Sequence, residues 1–363
     1  MEDASITVQS TENVRPPVTS IGATGWVRQN LFNSPFNSLL TLLIVYVLYR
    51  TVPAFIKWAF VNAVWWSDGQ ACNLVNGACW SVVTRNIRFI LFGFYPYDQQ
   101  WRPVLSIGLL AAFIFYSSFQ RNWNKRLLIA WPVGLALIGL IMHGGIFGLP
   151  SVETEKWSGI SLTLLLSIFG LSAAYPFGVI LALGRRSRLP AIKTLCVLYI
   201  ELIRGVPLIS MLFMASVMFP LFLPEGMTVN TILRAQVAII MFTAAYIAEV
   251  VRGGLQAMPR GQCEAAESLG LNYYLKMRLI ILPQALKTVI PPTVSVLISA
   301  FKDTSLVVII GLFDLLRTTH VTLSNPEWMG FNTEAYLFTA SIYFVGCFVM
   351  SNFSRRLEQR LQT

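Results

Sequence analysis

Charge is scarce in this chain. Of 363 residues only 12% are Asp, Glu, Lys or Arg, about half the roughly 25% of soluble domains, while 55% are hydrophobic and the mean hydropathy is +0.62. That shortage excludes a water-soluble domain and leaves an integral membrane protein. Histidine is nearly lacking: His143 and His320 stand far apart, and the five cysteines contain no CxxC pair. No metal-ligand spacing exists, so no metal is expected. No GxxxxGK[ST] phosphate loop occurs, so the chain does not itself cradle ATP and binds no cofactor of its own. The spans hold no nucleophile with a paired base and no His or carboxylate cluster, so an enzyme is not expected. The apolar runs, about 20 residues long, lack the dyad alternation of a barrel; helices remain as the way to satisfy backbone hydrogen bonds in lipid. Residues 1–37 lack a short apolar core with a small-residue exit, and read as a flexible tail rather than a signal peptide.

What is present is an all-α polytopic pattern. We expect about eight transmembrane helices, near 38–58, 103–119, 127–148, 158–183, 191–220, 231–254, 284–312 and 334–353. The apolar piece 87–95 is too short to span and reads as interfacial or re-entrant. The net charge of +10, from 27 Lys and Arg against 17 Asp and Glu, does not signal nucleic acid, because the cations sit in short loops where topology uses them. With the N-terminus inside, the inner segments hold Arg121, Lys125 and Arg126, then Arg185, Arg186, Arg188 and Lys193, then Arg252, Arg260, Lys276, Arg278 and Lys287, and finally Arg355, Arg356 and Arg360. The short outer loops hold only Lys156 and Arg317, so both termini are expected in the cytoplasm. The long outer loop at 59–102 carries Cys72 and Cys79, for which a small disulfide and two free thiols are the alternatives. The chain changes character at 148–157: three helices with few intramembrane charges (38–150) precede five helices with many (151–358).

The stretch EAAESLGLNYYLKMRLIILPQAL, residues 264–286, interrupts these apolar runs on the cytoplasmic side. Pro259 suits the first turn of a helix, residues 262–269 are mostly good helix formers, and Gly270 fits a C-terminal cap. Asn272 caps the next helix, and Pro283 seats the start of the following span. Two short helices joined at an angle follow. Tyr273, Leu275, Met277, Leu279 and Ile280 are too apolar for a solvated loop, so the second helix lies against the membrane or the protein core. The first, with Glu264 and Glu267 beside Ala265 and Ala266, reads as a docking surface for a cytoplasmic partner.

The spacing Glu264-Ala265-Ala266, three residues, Gly270, nine residues, Ile280, one residue, Leu282-Pro283 resembles the EAA loop of membrane subunits of bacterial ABC importers. ELIRGVPLI (residues 201–209), AEVVRGGLQAMPRGQCEAAESLGL (248–271) and FKDTSLVVIIGL (301–312) resemble the polar amino-acid uptake permeases. The three extra N-terminal helices and ACNLVNGACW further resemble the general L-amino-acid permeases of Gram-negative bacteria, in which two different membrane subunits pair. The resemblance is specific over about 158–358; Cys263 departs from it, standing where an aromatic is common.

The resemblance implies a five-helix importer permease core with a coupling loop at 255–283, in the bacterial inner membrane. Glu264, Ala265, Ala266, Gly270, Ile280, Leu282 and Pro283 would form the element that seats in a separate ATPase dimer, where the ATP is bound. It also implies a second homologous permease subunit and a periplasmic amino-acid-binding protein. The alternative is a secondary amino-acid transporter driven by an ion gradient, which explains intramembrane charges but leaves the EAA pattern unexplained.

An amino acid carries both signs of charge, and ionisable residues inside spans are functional candidates by default. They are Glu201 with Arg204, Glu249 with Arg252, and Lys302 with Asp303. The first two pairs are spaced i, i+3, so an ion pair on one helix face and direct substrate contact both stay open. Lys302 and Asp303 stand beside Thr304 and Ser305 where a long helix breaks, as in discontinuous transport helices. Met211, Phe213, Met214, Met218 and Phe219 form an apolar stripe that either lines a gate or, as such stripes more often do, faces lipid or core. Gly253 and Gly254 either permit close helix approach or end their span, and Pro259 just after favours the ending.

Overall fold

The computed structural model describes residues 22–145 and 148–362. Of the N-terminal tail expected at 1–37, residues 1–21 lie outside the described residues, whereas Gly22–Asn30 is a helix. Sixteen α-helices are described: α1 Gly22–Asn30, α2 Pro35–Ile56, α3 Gly69–Cys72, α4 Ser81–Phe92, α5 Trp101–Ser117, α6 Lys125–His143, α7 Gly159–Arg185 and α8 Pro190–Gly205; then α9 Leu208–Phe213, α10 Thr231–Gln256, α11 Arg260–Ser268, α12 Tyr273–Lys276, α13 Leu282–Thr288, α14 Ile290–Asp303, α15 Leu315–Leu323 and α16 Asn332–Gln362. Among the described residues there is no strand, and an isolated β-bridge joins Gly159 and Asp314. The fold is all-α and polytopic.

The chain forms two compact units, Met1–Val64 with Ala71–Ala78, and Trp65–Gln70 with Cys79–Thr363. In the first, α2 runs on through a π turn at Lys57–Val61, giving a strongly apolar span with no buried residue in α2. Lipid is its natural solvent. The packing boundary near residues 64–79 and the change in charge at 148–157 describe different things: α5 and α6 pack within the larger unit.

Among the described residues six helices are long and apolar enough to cross a membrane, seven if a bent pair counts as one span, against the eight expected. The missing one is α5, whose 17 residues reach about 25 Å at 1.5 Å per residue, a turn short of a hydrocarbon core of about 30 Å. The bent pair is α8 and α9, expected as one span over 191–220 but turned by 104°. The cause is local: Pro207 has no N–H for an α-helical bond, and it pushes Val206 to extended φ −108°, ψ 133°. The piece expected at 87–95 is the C-terminal part of α4, which packs on α15 and α7 and buries Ser81, Val82, Val83 and Ile90.

The larger unit centres on α7 and α10. Ala174, Ala182, Ala244 and Ala248 meet there with Leu181, Ile247 and Val251 in one buried cluster, the small-residue interface that lets helices approach closely without a hydrophobic driving force. Gly253 and Gly254 do not end α10, which continues to Gln256. A Cβ on Gly254 would stand 2.2 Å from Cγ1 of Val289 and 3.0 Å from the carbonyl of Ala285, so this glycine is needed for close approach of α10 to α13.

Candidate functional site

The segment between α10 and α14 is built as two helical pieces set by a glycine turn. Pro259 stands at the N-cap of α11. At its end, Gly270 takes φ +71°, its N–H bonds the Glu267 carbonyl at 2.9 Å, and the Leu271 N–H bonds the Ala266 carbonyl at 3.2 Å. These are the two bonds of a Schellman motif, with glycine in its left-handed position. The Asn272 side chain then accepts from the Leu275 N–H at 2.9 Å and caps α12. From Tyr273 the chain continues through a π turn at Met277–Ile281 into α13, with the Leu282 N–H bonded to the Met277 carbonyl. The wide turn suits Pro283, which has no N–H to offer an α-helical ladder. Pro283 therefore sits inside a continuous helix rather than at the start of a span, which begins at Ile290.

The two pieces face different ways. In α11 only Ala266 is buried, at 1% exposure, while Glu264, Ala265 and Glu267 are exposed. Beyond the turn, Ile281 and Ala285 enter the α7–α10 cluster, and Met277, Ile280 and Leu282 pack against it. An ion pair between Glu267 and Lys276 ties α11 to α12; the hydrogen bond from the ammonium holds the Glu267 carboxyl below its ordinary range.

At the ends of α7, α8 and α10 lies a charge cluster. Glu249 is its hub: Arg185 reaches it at 3.3 Å, Arg204 at 3.6 Å, and the Nε of Arg252 at 2.9 Å. Arg185 also pairs with Glu201 at 2.9 Å. So Glu249 and Arg252 do pair along one helix, whereas Glu201 is bonded across to α7 and Arg204 across to α10. The network ties three helices together.

Lys302 and Asp303 part company. Asp303 lines a cavity of about 340 Å³ between α10 and α14, with Thr243, Tyr246, Ser295 and Ser299. Lys302 is exposed and borders a separate crevice with Tyr336, Thr339 and Tyr343 of α16. Neither forms an ion pair or a side-chain hydrogen bond among the described residues. The α-helix gives way here to a 3-10 stretch, Thr304–Ile310.

Residues 174–363 match the family of binding-protein-dependent transport system inner membrane components. The inner membrane amino-acid ABC transporter permease protein YhdY of Escherichia coli K12 is 47% identical over 342 residues, 93% of each chain. The chain belongs to the amino-acid ABC transporter permeases. A second relative of this permease is the glutamate/glutamine/aspartate/asparagine transport system permease protein BztC of Rhodobacter capsulatus, 36% identical over 431 aligned positions that cover 100% of this chain and 99% of that one. Among solved structures, the crystal structure of an amino acid ABC transporter with histidines matches 56% of this permease and 92% of that chain, at 33% identity and a TM-score of 0.51.

Three residues of the permease escaped the sequence reading. Arg185 was assigned to topology with its neighbours in GRRSR, and only the approach of α7 to α10 makes it a partner of Glu249. Tyr246 was one aromatic among many; its ring lies 5.6 Å from the Arg204 guanidinium, and it also lines the Asp303 cavity. Asp314 is fully buried, caps α15 by accepting from Leu316 at 3.1 Å and Arg317 at 3.0 Å, and accepts from the Tyr343 hydroxyl at 3.1 Å. Burial pushes its carboxyl above the ordinary range. An Asp ahead of an apolar helical run was a legible N-cap signal. Met211, Met214, Met218 and Phe219 line a groove of about 720 Å³ between α8, α9 and α10, and Phe213 is exposed.

Proposed function

We propose that this permease is the membrane subunit of an ATP-driven importer of L-amino acids in the bacterial inner membrane, and that a separate ATPase dimer drives it by docking on α11. One observation carries the reading: α11 presents Glu264, Ala265 and Glu267 outward, while the continuous helix that leaves it buries Ile281 and Ala285 against α7 and α10. A push on α11 is thereby delivered to the helices that line the membrane path. Gly270 and Pro283 set the angles of that lever. ATP stays on the partner, since the chain lacks a phosphate loop.

Both termini are cytoplasmic in this reading, which puts Cys72 and Cys79 on the oxidising side; each is in the disulfide-bonded state, which fits that placement. Residues 38–150 form the extra N-terminal part, 151–358 the permease core, and 255–283 the coupling loop. A second homologous permease and a periplasmic amino-acid-binding protein complete the assembly, and no nucleic acid takes part. Asp303, at its cavity, meets the substrate ammonium; Glu201, Arg204, Glu249 and Arg252 hold the helices around the path, and Lys302 faces away from it.

Gly270→Val and Glu264→Lys test the coupling. A Cβ at Gly270 meets nothing within 4 Å, so valine would add only the left-handed strain of about 1–2 kcal/mol. Each variant is expected to leave the permease folded, to weaken co-purification with the ATPase and to lower ATP-driven uptake by about tenfold, roughly 1.4 kcal/mol of lost coupling. Unchanged co-purification and uptake in both would remove α11 as the coupling element.

A further inference from the structure

We propose that the crevice between the end of α5 and the end of α16 binds one anionic phospholipid. The crevice, about 350 Å³, is walled by Phe115 and Phe119 on one side and Phe348 and Phe353 on the other, with Trp123 and Arg356 among its lining residues. Phe115 and Phe119 stack edge to face at 5.1 Å, and the Trp123 indole N–H is fixed on the Ser117 carbonyl at 2.9 Å, which leaves its ring as apolar wall. Phe115, Phe119 and Phe348 remain 68%, 47% and 51% exposed. This is an aromatic slot with nothing of the described chain inside it.

The charge around the slot selects the occupant. Both helices pass from apolar to cationic sequence within about one turn at this level: α5 gives way to the turn carrying Arg121, Lys125 and Arg126, and α16 reaches Arg355 and Arg356. Against these five cations, residues 115–126 and 348–358 hold a single carboxylate, Glu358. Among the described residues Arg356 forms neither an ion pair nor a hydrogen bond. An aromatic slot below and uncompensated guanidinium above match an acyl chain and its phosphate, because aromatic side chains settle at the interface and guanidinium binds phosphate oxygens bidentately. A protein partner would need a matching acidic, apolar knob; the lipid supplies both features at the right depth. On the orientation proposed above this is the inner leaflet, but the binding itself does not depend on that orientation.

Native mass spectrometry of the full-length chain in detergent, titrated with phosphatidylglycerol and with phosphatidylcholine of the same acyl chains, tests this. One phosphatidylglycerol is expected to stay bound with at least tenfold preference. Arg356→Gln combined with Arg121→Gln should cut that preference by about tenfold or more, since each cation at a membrane surface contributes roughly fivefold. Phe119→Ala should weaken both lipids alike. Equal retention of the two lipids, or an unchanged preference in the double variant, overturns the proposal. A photo-crosslinking phosphatidylglycerol gives a second readout on the unsubstituted chain: label in the peptides holding residues 115–123 or 348–357 supports the site, and label only elsewhere overturns it. Loss of that label when the chain is assembled with its partner subunits would mean that protein covers the slot, and would overturn it too.

Discussion

Around Glu249 three guanidiniums converge on one carboxylate from three helices, whereas Asp303, on the α14 face packed against α10, borders a largely apolar cavity with four hydroxyl-bearing side chains and no cation in its lining. Both are acidic residues in apolar helices, yet they have opposite surroundings. A charge in a span is costly unless it is paired or wetted. Glu249 meets that demand internally, with its hydrogen bonds and ion pairs already made. Asp303 leaves it unmet, and a cavity of about 340 Å³ gives room for water and for something that carries an ammonium group. The comparison separates a charge that holds helices together from a charge held available.

Breaking the hub gives the largest expected effect. Glu249→Gln would leave Arg185, Arg204 and Arg252 converging on a neutral amide; with the four groups only 22–32% exposed, the loss is about 3 kcal/mol, the low end for a broken buried network. Thermal unfolding in detergent would read it as a clear drop in midpoint, and Arg185→Gln in the same chain should restore part of the loss. The second effect sharpens the contrast in function. Asp303→Asn is expected to leave the unfolding midpoint within the scatter of the unsubstituted chain and to cut uptake about tenfold or more, roughly 1.4 kcal/mol; a variant that unfolds early but still transports would reverse the assignment. The smallest effect belongs to Glu201, whose side chain is 54% exposed although paired with Arg185. Solvent screening reduces that pair to at most about 1 kcal/mol, so Glu201→Gln should shift the midpoint far less than Glu249→Gln.

Much of this architecture was legible in the sequence, for reasons that differ by element. The segment between α10 and α14 was readable in part because its signals are local: Gly270 in a left-handed cap and Asn272 as N-cap each act within four residues, whereas Pro283 reads as the start of a span and sits inside a helix. Composition alone gave the all-α membrane class, since 55% hydrophobic residues in long runs admit little else. The break after Gly205 was also written locally, in Val206-Pro207, but hydropathy over a 30-residue window passed across it. What no local pattern contained was pairing across helices. Glu201 and Arg204 have the i, i+3 spacing of a helical ion pair, yet each finds a partner on another helix, because α7, α8 and α10 converge there. Gly254 likewise leaves helix ending and close approach both open in the sequence, until Ala285 and Val289 are seen against it. The separation of Lys302 from Asp303 follows from the helix turn of about 100° per residue, which sends adjacent side chains to different faces.

The measurement that bears most directly on the account is uptake of a radiolabelled amino acid by proteoliposomes holding this permease with its ATPase, permease and binding-protein partners. Uptake is measured with and without ATP and with ion gradients collapsed by ionophores. The account predicts uptake that requires ATP, resists the ionophores and falls about tenfold or more in Asp303→Asn while the assembly stays intact. Uptake by the chain without an ATPase, abolished by an ionophore, would contradict it and make the intramembrane charges those of a gradient-driven carrier.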